Sequence, residues 1–545
     1  MATTTTLPVR KLGDVGIVAD VNPYDLPPNA LSSGVNVRFE NGKITRGPVF
    51  RTVKAYTSEF EPAFLFSIPP IAAGFDGLVS VNSSFTKVYQ VAGDTLTDLT
   101  PTSVTSITSS AAYTAAFLGN VAYLNRPSHV PHHKAPGDVR FLPLTAWNSN
   151  WRTSSLRAYK DFLVALNVTK SGISYPTMVK WSDTAGFGGP PSSWDEASTT
   201  NSAGENILNE MREPIVDGLS LRDSFIIYGS NEVWLMDYIG GAFLFRFRKL
   251  YDSVGVINQN CVVQVDGTHY VFDRNDIYVH DGATKKSILH GRNKDYLFQS
   301  LNYAHADLSF VSHDPRLNEI HFCYVSGDAN IAFRNASTGC NRAAVYNYRR
   351  DTWSFYDLPN VTGAANGAVS TGKTWTTIGN TVTYDTVGGS YLSNEDDKDQ
   401  HTLFVGRIDE SMGLTASRIY GLDVITGSRL LRPVEPQAIA PAFIERVGID
   451  LDDVGADLTL YKALHAIYPQ LGNSTPGSIE FQFGASDVVG LEPVWSERIA
   501  YDPSTDTKVD IRESGRYLAY RLYHTGTSDF ALSGFDVKIS IRGRR

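Results

Sequence analysis

Sulfur is scarce in this 545-residue chain, with five methionines and three cysteines. Cys261, Cys323 and Cys340 are odd in number and nowhere spaced CxxC, which excludes a disulfide framework and a zinc cluster; three reduced, buried thiols is the plain reading. Long hydrophobic runs are missing as well. The greasiest stretch, AFLFSIPPIAAGF, is short and split by Pro69-Pro70, so no helical membrane span is expected. The amino terminus, MATTTTLPVRKLG, has no apolar signal core, which predicts synthesis in a cytoplasm and leaves sequons such as Asn82-Ser83-Ser84 without meaning. Basic blocks are absent too. The formal charge is −9 with Lys and Arg scattered, which argues against tight nonspecific grip on DNA and for a surface that repels it.

What is abundant points to short strands and tight turns: 27 Tyr, 27 Phe, 45 Gly and 26 Pro. A mass of 59.8 kDa exceeds one ordinary core, so at least two domains are expected. One pattern recurs, a β-rich run ending in an aromatic, then a turn, then a departing run. It appears at Lys87–Val91, Val233–Met236, Ile277–Val279, Ala344–Tyr348 and Ile419–Leu422. Some copies are preceded by another run, such as Ser224–Tyr228 or Tyr270–Phe272. Two-hairpin units repeated at tens of residues read as propeller blades, with a mosaic of hairpins in sandwiches as the alternative.

Polar, Gly-broken insertions fall at 185–206 and 360–401, and 206–212 and 293–302 are the best short helix candidates. After Pro433 and Pro436 the texture changes to strict alternation, as in Ser478–Phe483 and Phe535–Ile541, which predicts an antiparallel sandwich. The fold expected is therefore all-β. It has an N-terminal arm with first strands over 1–55, a β-propeller-like domain over 56–432 and a β-sandwich platform over 433–545.

Chemistry-bearing motifs are few. Gly367–Thr374 fits the phosphate-loop expression GxxxxGK[ST], but a phosphate loop must follow a buried strand and open a helix. Residues 358–363 read as coil and 375–384 as β-branched, so a chance match is expected. His129, His132 and His133 could ligate a metal only if a Pro131-bent loop folded back, and an exposed loop is the simpler reading. The run Asn394–Asp399 and the set Asp450, Asp452, Asp453 and Asp457 lack calcium-loop spacing and read as solvated faces. Trp181–Gly186 echoes a sialidase Asp box once, and no paired catalytic carboxylates emerge. No catalytic, cofactor or metal residue is assigned, and a non-enzyme is expected.

Four stretches resemble the tail tube nozzle proteins of short-tailed bacteriophages. The first runs through Leu26-Pro27-Pro28, Asn36-Val37-Arg38-Phe39, Asn41-Gly42-Lys43 and Gly47. The second comprises Lys180-Trp181-Ser182-Asp183, Pro190 to Asp195, Ala203-Gly204 and Val216–Leu219. The third reaches from Phe225–Tyr228 and Val233-Trp234 through Asp252–Gly255, Asp273–Tyr278 and His280-Asp281-Gly282 to Asn347-Tyr348 and Thr352-Trp353-Ser354. The ending, Ser514–Tyr517 and Ile541–Arg545, is the fourth.

The resemblance implies a propeller joined to a sandwich-like platform, as a hexamer beneath the head-to-tail adaptor protein. Double-stranded DNA would pass through the lumen, tail fibres or tailspikes would attach nearby, and the distal end would meet the host surface. The loops 185–206 and 360–401 receive no role from it. Acidic residues around Asp396 and Asp397, or Asp452 and Asp453, are candidates to face the tunnel. A Pro-rich start leading into VNVRF is expected to complete a sheet begun elsewhere in the chain.

The rival expectations are a phage propeller that binds or cleaves host glycans, for which Trp194 and Trp375 offer stacking platforms, and a peptide-binding scaffold. If the Gly367–Thr374 match is fortuitous, Lys373→Ala leaves infectivity unchanged; wild-type ATP binding that this variant abolishes would show that the motif is real.

Overall fold

A computed structural model of the chain describes residues 4–47, 50–55, 60–68, 77–92, 95–102, 104, 106, 112–241, 243–329, 339–367, 401–406, 418–422, 441–452, 460–472, 479–488, 490–524 and 529–542. It is nearly all β, 56% strand and 4% helix. Five antiparallel four-stranded sheets follow one another. Their first strands are Pro62–Ser67, Thr114–Leu118, Trp151–Tyr159, Ile215–Leu221 and Val262–Val265.

A seven-stranded sheet follows, built from Phe310–Asp314, Glu319–Tyr324, Cys340–Asn347, Thr352–Gly367, His401–Gly406, Arg418–Leu422 and, from the other end of the chain, Phe50–Ala55. Thr352–Gly367 belongs to two units. Its first part pairs with Cys340–Asn347 and its last part with His401–Gly406; the first ladder shifts register between Asp357 and Val361, across Pro359 and Asn360, and the second between Val361 and Gly363. Asn360 takes a φ of 52°, a left-handed conformation Asn tolerates better than most residues. The sheet is thus a sixth and a seventh four-stranded unit sharing one bent strand.

Period two then builds a ring. In Phe162–Lys170, Val164 and Leu166 face the fourth sheet, packing with Phe225 and Ile227, while Leu163 and Ala165 face the second, packing with Val121 and Tyr123. Buried on both faces, such central strands read as the unbroken apolar runs Phe162–Leu166 and Phe225–Tyr228. The ring closes where Leu403 and Val405 of the seventh unit meet Leu65 and Leu78 of the first. The result is a seven-unit propeller. Phe50–Ala55 pairs with Arg418–Leu422 as the outermost strand of the last unit.

Both chain ends build the sandwich. One sheet combines Thr4–Arg10, Val37–Glu40 and Lys43–Arg46 with Ala531–Ile541, Lys462–Gly472 and Val509–Gly515. The other sets Ser33–Val35 beside Ala442–Ile449, Tyr517–His524, Ile479–Ser486, Val494–Trp495 and Ile499–Tyr501. Residues 1–55 are therefore no separate arm, because those described are shared between the two domains. Asn41 and Gly42, with φ of 50° and 73°, form the turn that Asn-Gly favours between paired strands.

Three sequence expectations are corrected. Residues 360–367 continue a strand, so the insertion begins later than expected and Gly367 follows strand, not coil; Pro359 and Gly363 masked it. Gly204–Ile207 is the outer strand of the third unit and is followed by a turn, not the helix expected over 206–212. The second candidate is realised as Lys294–Ser300, whose first-turn amides of Asp295 and Tyr296 donate to the Asp20 carboxylate at 2.8 and 2.9 Å.

The domains are joined by buried charge. Asn36 donates its backbone amide to the Phe355 carbonyl at 2.8 Å, its side-chain Nδ2 donates to the Asp357 carboxylate, and its Oδ1 accepts from the Asp357 backbone amide. Arg38 Nε donates to Glu319 Oε1 at 2.8 Å, and the Tyr356 hydroxyl donates to the same oxygen. Burial alone would raise the Glu319 carboxyl, but the Arg38 guanidinium and the His321 hydrogen bond overrule it and hold the pKa at about 2.

Removing one partner strands a buried charge, so Arg38→Met is expected to cost about 3–5 kcal/mol. Arg38→Met/Glu319→Leu should recover most of that loss in denaturant unfolding. A single variant as stable as the parent would show that the junction does not depend on this pair.

Candidate functional site

A concavity lies on the propeller axis. The inner strands of the ring surround a cavity of about 540 Å³, with Phe64, Phe66, Phe117 and Leu219 among its apolar walls. The volume is that of a small-ligand pocket.

Polar side chains cross this bore. Asp217, fully buried, accepts from Ser155 Oγ at 2.6 Å, Arg157 Nε at 2.9 Å, Arg157 Nη2 at 2.6 Å and the Asn260 amide at 2.9 Å. Burial pushes its pKa up, and Arg157 with these donors brings it below the usual carboxylate range. Asn260 also accepts from Arg157 at 2.9 Å and donates to the Tyr113 carbonyl at 2.8 Å.

Asn260 leads into the fifth unit and Tyr113 into the second, three places apart in a ring of seven, so this hydrogen bond spans the axis. On the second unit, Arg126 donates to the Tyr113 hydroxyl at 2.8 Å and lies 4.8 Å above its ring. Asp217 is therefore engaged by donors from neighbouring units.

The residues singled out from sequence are not brought together. His132 and His133 lie in the buried strand His132–Lys134, not in an exposed loop, and consecutive strand residues face opposite ways. His129 and His132 both pack edge-on to Phe85 at 5.1 Å. Burial drives His132 down to about 4. Among the described residues, no group of three or more His, Cys, Asp or Glu is placed to hold a metal.

Trp194 is 1% exposed and meets Trp147 at 4.7 Å, edge to face, so it offers no platform to a sugar. Asp183 of the Asp-box echo ties the loop down by accepting from the Ser202 amide and Ser192 Oγ. Asp450 and Asp452 form a local turn. Lys373, Thr374, Trp375, Asn394–Asp399, Asp453 and Asp457 lie outside the described residues. The three cysteines are buried and free, their thiol pKa values raised by burial.

Two polar clusters were invisible in the sequence because their members are far apart along the chain. Lys170 and Lys180 each contact Glu196 and Glu205, and both ammonium groups lie 4.8–4.9 Å from the Trp151 ring. This square of alternating charge pins the loop carrying Glu196 to the third unit.

The second cluster is Tyr228 between His269 Nδ1 at 2.7 Å and His280 Nε2 at 2.6 Å. His269 Nε2 faces the Ser220 carbonyl and so carries the proton, which makes its Nδ1 the acceptor of the tyrosine O–H. The tyrosine oxygen then accepts from His280 Nε2–H, and His280 Nδ1 accepts from the Gly282 amide. Every position is used by neutral rings, and nothing reaches solvent.

This relay is expected to make the fold acid-labile. Burial lowers His269 to about 4 and His280, beside it, to about 3, from an ordinary 6.5. The unfolded chain takes up these protons below about 6.5 while the folded chain does not, so stability falls as pH drops from there toward about 4. His269→Gln/His280→Gln should flatten that decline in urea unfolding across pH. An unchanged slope would place the proton uptake elsewhere.

No protein-family model matches the sequence, and no curated protein matches it. Among solved structures, the chain is similar to Raptor of Chaetomium thermophilum at 8% identity and a TM-score of 0.38, over 70% of this chain and 30% of that one. It therefore spans less than a third of that protein's length, and at this level the likeness carries no functional weight.

Proposed function

We propose that this chain is a structural, non-enzymatic component of a short bacteriophage tail, a nozzle subunit that surrounds the exit path of the genome as a hexamer under an adaptor ring. The observation that carries the reading is the union of a propeller with a sandwich built from both chain ends, which is the architecture the family resemblance implies. Asn260 reaches across the axis of the single propeller to Tyr113, so a path wide enough for a duplex has to run between copies. A formal charge of −9 suits a wall along which phosphates slide without being gripped. Tail fibres or tailspikes, the adaptor and the host surface are the partners this role requires, and the virion tail is the location.

A second reading, a propeller that binds host-surface glycans, is favoured by the axial cavity of about 540 Å³. It loses Trp194 as a stacking residue.

Imaging of the purified chain mixed with tail adaptor protein decides between them. The nozzle reading expects a six-fold annulus. Lone discs, together with saturable binding of capsule or lipopolysaccharide fragments, would overturn it in favour of the second.

A further inference from the structure

Exposed apolar side chains gather on one face of the propeller. Phe187 is 87% exposed, Phe243 81%, Ile239 51% and Tyr238 46%. Hydrogen bonds place them together. The Phe187 loop is tied down by Gly188 N–H to the Gly119 carbonyl and Ala185 N–H to the Asp161 carbonyl. The hairpin carrying the other three is held by Tyr238 N–H to the Tyr159 hydroxyl.

Gly119 and Asp161 lie in the turns after the inner strands of the second and third units, at the same end of those strands. Between the two groups sits Lys160, whose ammonium lies 5.8 Å from the Tyr238 ring.

These tips stand clear of the body. A Cβ on Gly186, Gly188, Gly189 or Gly241 would meet nothing within 4 Å. Below them lies a basic collar, with Lys160, Arg222, Arg246 and Arg248 exposed or half-exposed. Asp161, Asp223 and Asp237 share that region: Asp237 accepts from Ser224 at 2.6 Å and pairs with Arg246 at 3.2 Å and Arg248 at 3.9 Å, and Lys160 lies 3.8 Å from Asp223. In a chain of net charge −9, four cations against three carboxylates at the base of these apolar tips are a local reversal.

We propose that this face docks on an anionic lipid surface. Apolar tips, a tyrosine above a lysine, then arginines follow the depth profile of a bilayer interface, from acyl chains through the phenol-binding belt to phosphate headgroups. The prongs are separated by the Lys160-Asp161 turn, and they do not line any of the cavities described. A protein partner would need a matched socket for each prong, whereas a fluid interface accepts them singly. The proposal is independent of the tail role, since it concerns one chain and a vesicle.

Co-sedimentation of the full chain with phosphatidylethanolamine/phosphatidylglycerol vesicles tests it, alongside phosphatidylcholine vesicles and lipid-free controls. The wild type should partition onto the anionic vesicles, more weakly onto phosphatidylcholine, and lose the difference at high salt. Phe187→Ser/Ile239→Ser/Phe243→Ser should lower partitioning by about tenfold or more. Its melting temperature should stay at the parent value, because the replaced side chains touch water.

Three outcomes would overturn the proposal: no wild-type binding, equal binding by the triple variant, or a lipid-independent oligomer that the triple variant dissolves. The last would assign the prongs to a second copy of the chain. A failed six-fold annulus with intact vesicle binding would sink the tail reading and leave this one standing.

Discussion

Burial of both faces of each four-stranded sheet is the constraint on which the molecule depends. A strand such as Phe162–Lys170 sends alternate residues to opposite sides, so its sheet needs an apolar neighbour on each. A row of such sheets always leaves two greasy ends. Only a ring removes both, and it closes because Leu403 and Val405 meet Leu65 and Leu78. Closure also needs the last unit to find an outer strand, and the one it receives, Phe50–Ala55, comes from the opposite end of the chain. The chain must therefore return to its start, which explains why both ends lie in one sandwich.

That return sets the charges at the junction. Strands contributed by residues 33–46 pass close to the sixth unit, where buried Glu319 takes Arg38 as its charge partner and Asp357, already paired with Arg342, accepts from Asn36. A buried carboxylate without a partner costs several kcal/mol, so pairing Glu319 favours one seat and one register for these strands. The same logic holds at the axis, where Asp217 gathers donors from Ser155, Arg157 and Asn260, which belong to the third unit and the lead into the fifth. Polar groups here act as locks between blades.

The surface divides differently. Outer strands keep cations at their edges, as Arg246 and Arg248 do on Phe245–Asp252, which discourages edge-to-edge pairing. The exposed tips at Phe187, Ile239 and Phe243 gather at one end of the strands. The sandwich is tied on elsewhere, at the outer strand of the sixth unit, through Asn36 and Phe355. The two faces of the ring thus carry different chemistry.

Much of the fold was legible. The five recurring runs are the third strands of the first, fourth, fifth, sixth and seventh units, and in all but the seventh the run ends at the turn to the fourth strand. Local chemistry wrote them, since an aromatic packs at the strand end and Asp, Gly or Asn makes the turn. The second unit escaped notice because its third strand, His132–Lys134, is three residues long. The third unit escaped because a broken excursion separates Ile173–Trp181 from Gly204–Ile207.

Composition and period two, acting between near neighbours, determined the all-β class, the turns and the alternating sandwich strands. Tertiary structure alone decided that His132 is buried, that Trp194 packs on Trp147, that Asn260 reaches across the axis and that Phe50–Ala55 completes the ring. Each of these joins residues whose meeting depends on how the rest of the chain has packed, and no window of sequence contains both partners with that geometry.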